Sequence, residues 1–363
     1  MTDTAIYPWE LEPTLTPAVW GGDELVRKYG KHRDASDKLG ESWECWDANA
    51  VANGILKGSI VATLRERLKT QFLGDLDPAR IFPILTKIIT AHDWLSVQVH
   101  PNDAYAQRVE RQAFGKTECW YVMAARPDAQ LVVGWTRDTS RAEYERRVAD
   151  GTLGEILRKV PVKCGDTVYV PAGLVHAIGP GVTVFETQQA SDLTYRMFDW
   201  NRVGFDGKPR KLHVRKAADV LSYRAGGEST LAQIEYAHEG LNRTALIADP
   251  RFTVERIVAT TDPASLRTHA RPLIVMSLEQ PMEIACAGTT TALHKYQTVL
   301  IPAAAGRCSV RSKKESAPFL FVTPPQSPDQ LAARLLAAGV PQPRIDAFTE
   351  QFLTPHCLTP QRS

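Results

Sequence analysis

Two histidines, a glutamate and a glutamine in this chain stand at spacings that suit a metal ion. The sharpest pattern is Gly165-x5-Pro171-x-Gly173-x2-His176. Its glycines permit tight turns, its proline ends a strand, and its histidine emerges just past the turn. A lone turn histidine is ordinary surface, whereas one delivered by this whole frame suits a ligand. Upstream, Leu95-Ser96-Val97-Gln98-Val99-His100-Pro101 alternates strictly. Gln98 and His100 therefore share the polar face of a strand backed by Leu95, Val97 and Val99. Taken alone, that stretch is a sheet edge meeting water. Lys116-Thr117-Glu118 adds a cation and a carboxylate between the two. Gln98, His100, Glu118 and His176 together offer two imidazoles, one carboxylate and one amide oxygen. Zinc accepts such ligands and leaves room for water or substrate. Magnesium and calcium prefer all-oxygen shells, while manganese, cobalt and iron suit the same ligand types.

Other polar groups stand where chemistry is possible. Glu186 follows Val182 and Val184 on one strand face, and an acid in an apolar alternation is either salt-bridged or functional. Arg196 closes Ser191-Asp192-Leu193-Thr194-Tyr195-Arg196. It is either a partner for Asp192 or Glu186, or a fixed cation for an anionic substrate. Lys116 and Lys87 carry the same two readings. Lys208, Arg210 and Lys211 in the GKPRKLH run are available to a phosphate, and a solvated basic loop accounts for them equally well.

The elements that must position these groups read mostly as short strands. Leu39 to Trp46 is a turn feeding a strand, after an irregular stretch from Trp20 to Gly30. Ile60 to Leu73 carries apolar residues at a helical period, with Ser59 as its N-cap. Pro83 to Thr90 is an apolar strand carrying Lys87. Asn102 to Gln112 is polar and partly helical. Glu118 to Met123 and Ala129 to Trp135 read as a hairpin around Arg126-Pro127-Asp128. Ser140 to Asp150 and Leu153 to Arg158 read as short helices, with Gly151 at a C′ position. Strands follow at Cys164 to Val170, Val182 to Gln188 and Leu193 to Phe198. Asn201 to Ala218 is a basic passage to a second part. There Phe252 to Val258, Leu273 to Leu278, Met282 to Cys286, Thr298 to Ile301 and Phe319 to Val322 read as strands. Many short strands with Gly and Pro turns predict a barrel or jelly roll. Asp329 to Ala338 reads as a helix in a tail whose last ten residues are loose. Asp166-Thr167-Val168-Tyr169-Val170-Pro171-Ala172 resembles Gln297-Thr298-Val299-Leu300-Ile301-Pro302-Ala303, which sets His176 opposite Arg307. A duplicated barrel that has lost its metal is the reading this predicts.

Composition narrows the field. The 363 residues are 44% hydrophobic and 23% charged, with a formal charge of +2. That balance has no basic excess for nucleic acid or a membrane surface. The N-terminus lacks a signal-peptide pattern, and no apolar run approaches the ~20 residues of a membrane span. The 6 cysteines fall outside CxxC pairs, which argues against a thiolate zinc site or a disulfide scaffold. Reduced thiols in the cytoplasm are the expectation, and Cys119 reads as packing.

The Gly165–His176 frame resembles the second motif of cupins, the double-stranded β-helix metal barrels. QVHP, GKTE, PAGLVHAIGPG, ETQQASDLTYR and DWNRVGFDGKPRKLH, together with WGGDEL and LGESWE, resemble type I mannose-6-phosphate isomerases of the short bacterial kind. The resemblance covers roughly residues 17 to 220 and continues more weakly to about 324. It implies a mainly β fold with helical insertions: two cupin-like jelly-roll barrels, the second degenerate. It divides the chain into a catalytic domain (1–220), a second barrel (221–325) and a partly helical extension (326–363). It implies a zinc-dependent aldose–ketose isomerase, with one zinc per chain, that interconverts mannose 6-phosphate and fructose 6-phosphate through a cis-enediol. Gln98, His100, Glu118 and His176 then correspond to zinc ligands and Arg196 to the catalytic arginine. Lys116, Glu186, Asp192 and Lys87 match positions lining the pocket. Glu186 is the candidate base, because a carboxylate behind apolar residues has a raised pKa. The sequence departs from the family at Cys45-Trp46-Asp47-Ala48, where a Ser-x-His-like stretch is usual, and in a longer tail beyond Pro325. The partner implied is a small sugar phosphate, with the choice of monomer or dimer open. Another metal-dependent cupin enzyme and a non-catalytic sugar-binding cupin are the rivals. The glutamine ligand and the SDLTYR arginine speak against a facial-triad oxygenase.

Overall fold

In the computed structural model the described residues are 5–31, 38–226, 231–259, 263–312, 317–325 and 328–353. They group into two compact units. The first comprises the described residues of Leu15–Ser42 and Lys87–Leu231, the second those of Met1–Thr14, Trp43–Thr86 and Ala232–Leu353. The segment 43–86 and the helices of 328–353 thus group with the later strands, where the sequence alone suggests contiguous parts.

The chain opens with β1 (Trp9–Glu10), which belongs to the second unit. The first unit is built on β2 (Thr14–Gly22), β3 (Leu39–Cys45), β4 (Ile84–Thr90), β5 (Val97–Val99), β6 (Glu118–Ala125) and β7 (Gln130–Trp135). It continues with β8 (Leu157–Pro161), β9 (Thr167–Val170), β10 (His176–Ile178), β11 (Val182–Gln189) and β12 (Tyr195–Phe198). One sheet has the order β2-β3-β4-β11-β6-β9 and the other β12-β5-β10-β7-β8. Inward-facing Trp120, Val122, Val168, Val170, Val182 and Val184 form one core. Each fully buried Val or Leu contributes about 1.5–3 kcal/mol to such a core. Outside the second sheet, Val97, Val99, Tyr195 and Met197 pack against Tyr144 and Ala217, which come from helices Arg141–Ala149 and Val214–Val220.

The second unit adds β13 (Ile234–His238), β14 (Leu241–Asp249), β15 (Phe252–Ala259), β16 (Ala264–Arg267) and β17 (Leu273–Ser277). It closes with β18 (Met282–Cys286), β19 (Thr289–Leu293), β20 (Thr298–Ile301), β21 (Arg307–Ser312) and β22 (Pro318–Thr323). Its sheets run β1-β20-β17-β22-β15-β14-β13 and β16-β21-β18-β19. The run β4-β11-β6-β9 of the first unit reappears as β15-β22-β17-β20, and β5-β10-β7-β8 as β16-β21-β18-β19. The fold is therefore two double-stranded β-helix barrels of one topology, mainly β with helical insertions. The repeat seen in sequence falls on β9 and β20, and His176 and Arg307 are the first residues of β10 and β21.

Several local expectations change. β6 and β7 do not form a hairpin: β6 pairs with β9 and β11, while β7 pairs with β8 and β10. The turn at Arg126 carries the chain from one sheet to the other, as a jelly roll requires. The Ile60–Leu73 helix is two, Val61–Leu68 and Thr70–Leu73, broken at Lys69 with φ 46°. Ile60, not Ser59, holds its N-cap position. Leu157 and Arg158 begin β8 instead of ending a helix. The stretch from Trp20 to Gly30, expected as irregular, begins with the end of the strand Thr14–Gly22 and holds a one-turn helix, Glu24–Arg27. Leu95 leaves the face of Val97 and Val99 and joins the barrel core, because the ladder of β5 begins only at Val97. Cys286 and Cys308, expected as thiols, are a disulfide. They sit directly opposite across β18 and β21 with Cα atoms 4.5 Å apart, a juxtaposition that no spacing along the chain reveals. Cys119 is buried, as packing demands. The helix expected at Asp329–Ala338 is Pro328–Ala337, and a further helix, Gln342–Leu353, follows it. The last ten residues, with Cys357, lie outside the described residues.

Candidate metal centre

The glycines of the Gly165–His176 frame both need left-handed backbone, with φ of 91° at Gly165 and 89° at Gly173. Only glycine adopts that conformation without strain. The turn is fastened to β5, since the Gly173 N–H donates to the His100 carbonyl at 2.9 Å. His176 then enters β10 opposite Gln98 of β5. Glu118 opens β6 on the facing sheet, paired with Val170 and Gln188. The backbone N–H of Lys116 donates to the Pro101 carbonyl at 2.9 Å, tying the GKTE stretch to the end of QVHP.

These connections bring His100, Glu118 and His176 together, all buried, with ligand atoms within 4.8 Å of one another. The His100 Nδ1–H donates to the Leu193 carbonyl at 2.8 Å, and the His176 Nδ1–H to the Leu174 carbonyl at 2.9 Å. Those acceptors fix both tautomers and leave each Nε2 as a lone pair. The two Nε2 atoms lie 3.5 and 3.4 Å from the oxygens of Glu118. His100 Nε2 and Glu118 Oε1 have no hydrogen-bond partner among the described residues. Such buried orphans are costly unless something else meets them. The amide of Gln98 stands 3.2 Å from His176 Nε2.

The electrostatics suit a cation. Burial, then the Lys116 charge, pushes His100 down to about 3. Burial also lowers His176, so both rings are neutral at pH 7, the form that binds metal. Burial favours a protonated Glu118, yet the Lys116 charge holds its carboxyl well below the usual carboxylate range. Lys116 sits 2.9 Å from Glu118 Oε2. Burial opposes its charge, but Glu118, Glu186 and Asp192 raise it above an ordinary lysine.

A cavity of about 330 Å³ opens on this cluster. Gln98 and Lys116 line it near the cluster, then Lys87, Glu186, Asp192 and Arg196; of the GKPRKLH run Arg210 lines it and Lys208 and Lys211 do not. Trp120 Nε1–H donates to Glu186 Oε2 at 2.9 Å, and Lys87 Nζ lies 3.7 Å from Glu186 Oε1. Burial first, and Glu118 second, push Glu186 up to about 7. Arg196 is half-buried, opposite Gln98 in register, and donates from Nη1 to the Lys211 carbonyl at 2.9 Å. Sequence reasoning missed Glu41, which lines the cavity and holds Lys87 at 3.2 Å, and Trp120. Both carried a signal. Glu41 is an acid within a strand pattern, and Trp120 is one pleat pair from Glu118 on the same face.

The fold and this cluster define a cupin-type barrel with a buried His–Glu–His centre. Residues 9–126 match the family model described as "Phosphomannose isomerase type I, catalytic domain". The mannose-6-phosphate isomerase of Streptococcus mutans is 39% identical over 251 residues, spanning 68% of this chain and 77% of that protein. A crystal structure of the mannose 6-phosphate isomerase from Bacillus subtilis superposes with a TM-score of 0.78 at 29% identity, covering 87% of this chain and 99% of that one. A zinc-bound, holo mannose 6-phosphate isomerase structure superposes with a TM-score of 0.69 at 14% identity, over 88% of this chain and 100% of that one. At that identity it speaks to the fold alone. The chain belongs to the type I mannose-6-phosphate isomerase family and is an enzyme of that family.

Proposed function

We propose that the chain interconverts mannose 6-phosphate and fructose 6-phosphate through a cis-enediol, with one zinc ion held by Gln98, His100, Glu118 and His176. The donor set supports zinc: two neutral imidazoles, a carboxylate and an amide oxygen match its preferences. Both rings are already oriented by carbonyls. When bound, the ion supplies a Lewis acid that polarises a sugar oxygen.

The chain's own groups carry the rest. Glu186 takes the proton from C2 and returns it to C1, for which a pKa near 7 is suited. Trp120 and Lys87 hold that carboxylate in place. Arg196 stabilises the negative charge that develops on the enediolate oxygens. Lys116 supports that charge while it holds Glu118 ionised. Lys87 and Asp192 contact the sugar from the cavity wall. The catalytic work on this reading lies in the unit 15–42 and 87–231. Among the described residues no helix is long and apolar enough to cross a membrane. A hexose phosphate is a dianion that does not enter a bilayer unaided, so the cytoplasm is the compartment its chemistry implies.

The observation that carries this reading is the convergence of His100, Glu118 and His176 within 4.8 Å at the foot of a cavity lined by Arg196. A coupled assay from mannose 6-phosphate to fructose 6-phosphate tests it, run with chelator and then with zinc restored. Activity that disappears with chelator and returns with zinc is expected. A metal-replete sample inert toward mannose 6-phosphate would sink the proposal.

A further inference from the structure

His213, the last residue of the GKPRKLH run, has a side chain for which the reaction scheme above has no use. It does not line the cavity, but it meets a residue that does. β12 ends its sheet, with β5 on one side and, among the described residues, no strand on the other. An edge strand leaves backbone N–H and C=O groups that some other element must satisfy. At Arg196 a single residue satisfies both. The His213 N–H donates to the Arg196 carbonyl at 2.7 Å, and the Arg196 N–H donates to His213 Nδ1 at 3.1 Å. Arg196 Nη1 also donates to the Lys211 carbonyl at 2.9 Å. The segment 211–213 thus holds Arg196 at three points, two of them on His213.

The local role open to His213 is a different one. It stands at the N-cap position of the helix Val214–Val220, and its carbonyl accepts the Ala217 N–H at 2.9 Å. Its side chain makes no cap bond and turns to β12 instead. A ring nitrogen that accepts a hydrogen bond carries no proton, so the neutral ring holds its proton on Nε2. Burial first, then the Arg196, Lys211 and Lys216 charges, keep His213 below an ordinary histidine. The accepting form is therefore the one present at pH 7. Neighbours brace the ring. The Tyr195 ring centroid lies 6.2 Å from it. Tyr195 Oη and Lys216 Nζ both donate to Glu110 Oε1 at 2.7 Å, which ties strand to helix. On the cavity side, Arg196 Nε is buried without a hydrogen-bond partner among the described residues. The guanidinium is thus held from behind and keeps a donor for substrate.

We propose that His213 is the positioning residue of Arg196, fixing through the Arg196 backbone where the guanidinium meets the developing enediolate. This rests on the isomerase reading and adds to it a residue outside the cavity. A misplacement of about 1 Å costs a reacting group up to about 10²-fold in rate, so the effect belongs in kcat. The test compares His213→Phe, His213→Asn and Tyr195→Phe as zinc-loaded, full-length proteins. Steady-state kinetics with mannose 6-phosphate are combined with hydrogen–deuterium exchange read at the Arg196 amide. His213→Phe keeps a ring and loses the acceptor; His213→Asn loses the ring and keeps an acceptor where Nδ1 stood. His213→Phe is expected to lower kcat about 30-fold, with KM within about threefold and a faster-exchanging Arg196 amide. His213→Asn is expected to hold kcat within about fivefold of wild type and to keep the amide protected. Tyr195→Phe loosens the same strand by freeing it from Glu110, and is expected to stay within about twofold in kcat. His213→Ala stands in should His213→Phe not fold. A packing role puts His213→Asn level with His213→Phe or below it, and that order would overturn the proposal. So would an undiminished kcat in His213→Phe, a Tyr195→Phe variant as slow as His213→Phe, or an Arg196 amide that exchanges alike in every protein. A wild type inert toward mannose 6-phosphate defeats the isomerase reading instead, and exchange at Arg196 still decides what His213 holds.

Discussion

In the first barrel Gln98 faces His176 across β5 and β10; in the second, Arg267 faces Arg307 across β16 and β21. The registers extend the comparison. Glu118 pairs with Val170 on β9, and Val170-Pro171 matches Ile301-Pro302, whose strand partner is Leu273. Following β11 and β22 in the same way sets Phe321 where Glu186 stands. One ladder therefore supports opposite interiors. Leu273, Val275, Phe319 and Phe321 fill the second barrel with apolar contacts, and the Cys286–Cys308 disulfide lies in the same cluster. The first barrel keeps a hollow edged by charge, and its buried carboxylate and imidazoles forgo apolar packing for pairing with one another. Strand order sets where a residue stands; side-chain chemistry alone decides between core and site.

Exchanging residues across that correspondence is the sharpest test. Glu118→Leu imports the second barrel's residue and leaves Lys116 buried without its carboxylate. It is expected to abolish stoichiometric zinc, read by atomic absorption, and to cut turnover by about 10³-fold or more. Zinc retained at one per chain would break the equivalence of the two interiors as stated. Glu186→Gln is expected to lower kcat/KM by about 10²-fold. The wild-type pH profile carries a limb that this variant loses. The base acts ionised and its pKa is raised to about 7, so activity falls as pH drops through 7 and levels off above it. Leu273→Ala opens a hole in the second core and is expected to cost about 2–5 kcal/mol in urea unfolding, with kcat of the folded protein unchanged. Arg307→Ala, at the exposed counterpart of His176, is expected to shift stability by no more than about 0.5 kcal/mol and activity not at all. A large kinetic effect there would give the second barrel a catalytic share.

The site was more legible in the sequence than the pairing that builds it. Period-two alternation announces β5 and β11, apolar runs announce β4 and β17, and two obligatory glycines frame His176, because these signals are local. Partner choice is not local. The turn at Arg126-Pro127-Asp128 is visible, but nothing in those residues says that the next strand joins the other sheet. Lys69 breaks a helix in left-handed backbone without a glycine or proline to mark it. Cys286 and Cys308 meet only because β18 and β21 are neighbours. In sequence Arg210 reads equally as a cation for phosphate or as solvated charge; the structure pairs its guanidinium with Asp199.

Gln98 and His100 owe their inward aim to parity along β5. A slip of that short strand by a single residue would turn Val97 and Val99 into the hollow and the two ligands out of it. Turnover is therefore a fidelity check on strand pairing, and a misregistered chain, however compact, would be silent in the assay.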